Sequence, residues 1–260
     1  MDAGLIEITP LRLGLALVFS LAAGGCSLAL QLGLGRDILV GTIRTFAQLF
    51  LMGLVLTFVF RVENPWLVLA LFVVMSLAAA HTAKGRIKEK AVSIALPMYG
   101  GMAAVYLLVT ITVTGAVIGS EPWWKPQYFL PIGGMVLGNS MNSVAIALDR
   151  LFSDLRARAP QVEMRLCLGA SAAEASADIL RDAVRAGMIP SINSMMAVGL
   201  VSLPGMMTGQ ILGGNDPSHA IRYQIVVMLM IVGATALGST LLTLLVRRRC
   251  FGPGDRPLLR

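Results

Sequence analysis

Asn139, Ser140, Asn142 and Ser143 fall within little more than one helical turn of the run GGMVLGNSMNSVAIALDR, residues 133–150. Uncharged amides and hydroxyls grouped this way can line a path for a polar solute, or can hydrogen-bond a neighbouring helix. The spacing alone leaves both readings open. A second polar group, with Asn193, Ser194, Ser202, Thr208 and Gln210, sits in SINSMMAVGLVSLPGMMTGQILGG, residues 191–214. Arg44 and Gln48 lie four apart, hence on one helix face. Arg44 is about two turns from the end of its apolar segment, so its stem can snorkel outward and a structural role is expected.

The chemistry that is missing narrows the choice. Every Asp and Glu falls outside the apolar segments or at their ends, with Asp149 at one boundary. The two histidines, His81 and His219, also sit near segment ends. Ion-coupled carriers place ionisable groups at depth, so no proton relay is expected here. No nucleophile–base constellation or cofactor motif is present, and an enzyme is not expected. The 15 methionines include the pairs Met195–Met196 and Met206–Met207; thioethers suit Cu(I) but also fill apolar space. No His/Cys/carboxylate cluster has metal-ligand spacing, and the sequence assigns no metal ligand.

These groups require an unusual scaffold. Of 260 residues, 56% are hydrophobic and 13% charged, about half the charged share of a soluble domain. The apolar residues come in blocks near the length that crosses a bilayer. An all-α polytopic membrane protein follows, with one transmembrane domain over residues 1–260. Seven spans are expected, over 11–34, 38–60, 65–83, 91–118, 128–148, 188–214 and 220–246. The N-terminus carries Asp2, Glu7 and the single base Arg12, unlike a signal peptide, so the first span is expected to be retained.

The net charge of +7 is distributed asymmetrically. Arg36, the cluster Lys84, Arg86, Lys88 and Lys90, six arginines between 149 and 187, and the tail bases Arg247, Arg248, Arg249, Arg256 and Arg260 fall on one side of a seven-span arrangement. Only Arg12, Arg61 and Lys125 fall on the other. Positive loops stay inside, which puts the N-terminus outside and the C-terminus in the cytoplasm of a cell whose inner (plasma) membrane holds the chain. The basic excess is thus a topology signal with some attraction for anionic lipid; nucleic acid is not an expected partner. Cys26, Cys167 and Cys250 form no C-x-x-C and are expected to remain free.

The segment LCLGASAAEASADILRDAVRAGMIPSINSM, residues 166–195, is the longest polar interruption. It belongs to an inner segment, 149–187, that begins as an extension of span five stopped before Pro160. Ser171 and Glu174 match a capping box. A short amphipathic helix, with Glu174, Asp178, Arg181, Asp182 and Arg185 on its polar side, is expected to end at Gly187, with Pro190 leading into span six. Its first turn offers small side chains, suited to a protein cleft rather than to lipid. Glycine stripes at 205, 209 and 213, and at 134 and 138, allow close helix approach within the chain or against a second copy.

The small-residue turn Gly169, Ala170, Ser171, followed about twenty residues on by Pro190, resembles the cytoplasmic coupling loop of ATP-binding-cassette permeases. Together with VGTIRTFAQLFLMGLVL, MNSVAIALDRL, RAGMIPSINSMMAVGLVSLPGMMTGQILGG and AIRYQIVVMLMIVGATALGSTL, it resembles the FetB/YbbM-like permease family of bacterial iron export and plant aluminium tolerance, over about residues 35–250. The resemblance implies a permease subunit, a homodimer, and a separate ATPase chain that carries ATP and Mg. The chain itself has no G-x-x-x-x-G-K-[ST] phosphate loop. On this reading Gly169, Ala170 and Ser171, with Glu174, Asp178 and Arg181 of the helix that follows, are expected to engage the ATPase, and the polar residues Asn139, Ser140, Asn142, Ser143, Asn193 and Gln210 are expected to border the route of an exported metal. A small organic solute or nucleotide sugar as cargo, or a stand-alone channel or gradient-driven carrier, are the competing expectations.

Overall fold

The computed structural model of the protein describes residues 9–87, 89, 92–252 and 254–258. Asp2, Glu7, the expected start of span four at residue 91, and the topology cations Lys88, Lys90 and Arg260 lie outside the described residues. Among the described residues the regular structure is helical, with two isolated bridges and no strand. Six helical segments are long and apolar enough to cross a membrane.

Two compact units are distinguishable. The first holds helices α1 (Pro10–Ala29) and α2 (Gly35–Val62), which pack on each other. Their connection turns through Gln31 and Gly33, both with positive φ, and the Leu34 amide donates to Ser27 Oγ at 3.0 Å. Leu15, Phe19, Leu49, Phe50 and Leu54 all face outward. Helices apolar on every side suit hydrocarbon rather than water. Arg44 and Gln48 are exposed on α2.

The second unit is built around α5 (Pro126–Ala157), which packs against α3 (Pro65–Arg86), α4 (Met102–Thr112), α8 (Ala177–Ala197) and α10 (Pro217–Arg249). Single π-helical turns, Pro97–Gly101 and Val113–Val117, extend α4 at both ends. Side-chain caps start the two flanking helices. Asn64 Oδ1 accepts from the Trp66 amide at 2.9 Å, and Asp216 Oδ1 accepts from the Ser218 amide at 2.7 Å; each satisfies a donor that has no partner within its helix.

Glycines set the helix spacing. A Cβ on Gly133 would lie 2.7 Å from the Phe72 ring, and one on Gly238 would run into the Tyr106 phenol. Four glycines of the two expected stripes do not have this role inside the chain. Gly138, Gly205 and Gly209 face open space, and Gly134 meets only the end of Met75.

Two expectations about the polar interruption are corrected. Gly187 does not end a helix: α8 continues through both Gly187 and Pro190 to Ala197. A Cβ on Gly187 would lie 2.6 Å from the Ser143 carbonyl oxygen and 2.9 Å from Ala147 Cβ, so this glycine serves close packing of α8 on α5. Nor is 188–214 one continuous helix. Val198 is extended, and Gly199 takes φ +85°. The Val201 and Ser202 amides both turn back to the Ala197 carbonyl. The chain restarts as α9 (Gly205–Leu212) after Pro204. Tight closure at a left-handed glycine, followed by a proline without an amide donor, ends one helix and begins the next.

Candidate functional site

The break between α8 and α9 opens onto a half-open cavity of about 330 Å³ bordered by α5, α8, α9 and α10. Asn139, Asn142 and Ser143 line it from α5; Ser191 and Ser194 from α8; Ser202 from the break; and Gln224 from α10. Met135, Met206 and Met228 supply apolar wall. Pro190 also borders it, and its ring leaves the Ala186 carbonyl without the usual helical donor. No acidic side chain among the described residues lines it, and no cluster of three His, Cys, Asp or Glu residues that could hold a metal is present among them.

The polar groups differ in how they are engaged. Asn139 Nδ2 donates to its own helix at the Met135 carbonyl, 2.8 Å, and the Ser143 hydroxyl reaches the Asn139 carbonyl at 3.4 Å. Arg86, at the end of α3, donates through Nη1 to Asn142 Oδ1. That bond fixes the Asn142 carboxamide and places a guanidinium beside it. Gln224 is buried, and its Oε1 has no partner. An unpaired buried carbonyl costs about 1–3 kcal/mol, so a donor brought by a ligand would be favoured there.

Three of the six residues expected on the substrate route thus meet at one cavity. Ser140 is instead buried beside the Tyr106 hydroxyl and outside the lining, Asn193 is exposed, and Gln210 has a buried, unpartnered Oε1 away from the lining. Ser191, Gln224 and Arg86 were not among the expected site residues. A glutamine in the apolar run of α10 is the signal that could have pointed to Gln224. Nothing local in the sequence links Arg86 to Asn142, 56 residues away.

The other end of α8 is a charged cluster. After α5 the chain turns at Arg158 and forms α6 (Ala159–Cys167) and the single turn α7 (Ala172–Ala175). The break before Pro160 is as expected; α6 is an additional element. Gly169 has φ +92°, a conformation that favours glycine. The capping box forms: the Ser171 amide donates to Glu174 Oε2 at 2.9 Å, and the Glu174 amide to Ser171 Oγ at 3.3 Å. The Ser171 hydroxyl also donates to Glu174 Oε2 at 2.7 Å, and these bonds hold the Glu174 carboxyl below the usual range.

Arg165 grips Asp178 with two hydrogen bonds, 2.9 and 3.2 Å, and donates to the Ala175 carbonyl at 3.0 Å. The Arg165 hydrogen bond is the main reason the Asp178 carboxyl is also held low. Arg158 reaches Asp182 at 3.2 Å and Asp154 at 3.8 Å. The tail closes the arrangement. Residues 250–252 and 254–258 pair as a small hairpin, with Gly252 and Leu258 amides donating to the Arg256 and Cys250 carbonyls, and Asp255 Oδ2 accepts from the Ala172 amide at 2.9 Å. Glu174 and Asp178 therefore hold this turn together, whereas Arg181 is exposed beside a shallow groove with Leu180 and Val184. Met164, Cys167 and Leu168 are exposed at the tip.

The model of an uncharacterised protein family, UPF0014, matches residues 10–251. A membrane protein of that family from Synechocystis, slr1647, is 39% identical over 219 residues, 83% of each chain. The probable iron export permease protein FetB of Escherichia coli is 34% identical over 245 residues, covering 94% of this chain and 93% of that one. Protein ALUMINUM SENSITIVE 3 of Arabidopsis thaliana is 35% identical over 228 residues, covering 86% and 81%. No solved structure matches. With nearly its whole length matched and six membrane-length helices, this chain is a multi-pass membrane protein of the UPF0014 family.

Proposed function

We propose that the chain is the permease subunit of an ATP-binding-cassette transporter that exports a metal, iron first, driven by a separate ATPase chain that holds ATP and Mg. The observation that carries this reading is α8. One helix runs from Asp178, in the Arg165 grip at the charged end, to Ser191 and Ser194 at the cavity wall. A push on the turn at Gly169–Ser171, passed through α7 and the Arg165–Asp178 pair, would be carried along α8 to the cavity wall. The exposed tip at Met164 and Leu168, beside the small residues Gly169 and Ala170, gives an ATPase an apolar foothold. The name of the Escherichia coli relative supplies the cargo.

In this reading residues 1–260 form one permease domain in the inner (plasma) membrane. The charged end lies in the cytoplasm and the N-terminus outside. The α8–α9 pair completes a seventh crossing as a discontinuous helix, a form that transporters use where the backbone lines a cavity. Two copies assemble as a homodimer within lipid. The test is reconstitution in liposomes with the co-purified ATPase. Metal efflux and metal-stimulated ATP hydrolysis should require both chains; efflux by this chain alone overturns the proposal. A small organic solute is the second reading, favoured by the uncharged lining, and stimulation by solutes but not by metals would select it.

A further inference from the structure

On the metal-permease reading, we infer that the cavity takes the metal as a complete complex, enclosed in its own oxygen ligands, and contacts only that outer shell. Three observations converge. The lining presents amides, hydroxyls and thioethers, and no carboxylate among the described residues faces it. Hard cations stripped of water demand anionic or many oxygen ligands, and burying an uncompensated charge is prohibitive. The ionic and dipolar features at the cavity are positive instead. Arg86, which does not itself line the cavity, is bonded to the lining residue Asn142, and the N-terminal end of α9, at Gly205 and Met206, borders the space.

Size gives the second observation. At about 30 Å³ per water, 330 Å³ is the room of roughly eleven waters: far more than a bare ion fills, and enough for a metal with six oxygen donors. The third is Gln224, 5% exposed, whose Oε1 has no partner. It awaits a donor of the kind a coordinated water or hydroxyl offers. The outer shell of an aqua ion and that of a hydroxy-acid chelate share this chemistry. The positive surroundings favour the chelate.

Substitution-inert complexes separate the possibilities, because they cannot exchange their ligands. Full-length protein in lipid nanodiscs is titrated with hexaamminecobalt(III), with tris(oxalato)chromate(III), and with labile Mn(II), whose retained waters are counted by proton relaxation. At least one inert complex should bind saturably, and Asn142→Ala and Gln224→Ala should each weaken it about tenfold, the ammine N–H groups donating to Gln224 Oε1 and the oxalate oxygens, which carry no donor, accepting from its Nε2 instead. The oxalate complex identifies a chelate as cargo; the ammine complex identifies the aqua ion. Gln224→Glu should shift the two charges in opposite directions. Equal effects on both, or binding indifferent to the cavity variants, overturns the inference. If Mn(II) binds at the cavity with loss of its waters while neither inert complex binds, the inference fails and the metal-permease reading stands. If none of the three binds, that reading fails with it.

Discussion

Gly187 is where two accounts of this chain predict opposite signs. If it terminated a helix, alanine there would be neutral or would favour helix by up to about 1 kcal/mol. In the structure it lies inside α8 and is buried against α5. A Cβ would sit 2.6 Å from the Ser143 carbonyl oxygen, 2.9 Å from Ala147 Cβ and 3.3 Å from Ser239 Oγ. The first contact is backbone and cannot rotate away, so reaching an ordinary 3.4 Å requires α5 and α8 to part by about 0.8 Å. Overpacking costs about 1–3 kcal/mol, and a backbone contact that cannot rotate away falls in the upper part of that range, about 2–3 kcal/mol. Set against the helix-propensity gain, Gly187→Ala should lose about 1–2 kcal/mol. Gly209→Ala, facing open space, should gain a few tenths to about 1 kcal/mol. Reversible unfolding in mixed micelles measures both. Gly187→Ala as stable as the parent would refute the packing argument, and with it the description of α8 as one helix pressed on α5. Because Ser143 lines the cavity, the same substitution should also impair transport, whereas Gly209→Ala should not.

The charged end offers three further checks. The Asp178 carboxyl, lowered chiefly by the Arg165 hydrogen bond, contributes stability that is complete above the ordinary aspartate pKa of about 4 and drains as pH falls through its depressed folded value. In NMR titrations of the carboxyl carbon it should titrate below a normal aspartate in the parent and move upward in Arg165→Gln; an unchanged midpoint would dismiss the pair. Asp255→Ala should speed hydrogen exchange at the Ala172 amide about fivefold, the effect of losing one capping acceptor, and an unaltered rate would show that the tail hairpin does not fix this turn. Cys167 is exposed and Cys250 buried. Burial first, and the Glu89 charge second, push the Cys250 thiol up to about 12, so a maleimide should label Cys167 in the folded protein and Cys250 only after unfolding.

Composition and charge determined a great deal. Apolar blocks of membrane length gave the helical class because backbone polar groups must pair internally in hydrocarbon. Ser171 and Glu174 predicted the capping box because both partners lie within one turn. The cluster of Asn139, Asn142 and Ser143 was visible because helical period alone places those residues together. Such features are local, and three or four residues of chain carry the whole physical cause.

What only the tertiary structure decided depends on distant partners. Gly187 and Pro190 are ordinary helix-ending residues in a one-dimensional reading; packing on Ser143 and Ala147 keeps the helix intact through them. Gly199 and Pro204 sit in an equally apolar run, yet there the chain breaks, and the break creates the cavity. Gln224 and Arg86 join the site from helices far away in sequence. Hydropathy measures transfer to lipid and says nothing about which apolar stretch remains straight; that is settled by what each backbone segment meets when the helices close together.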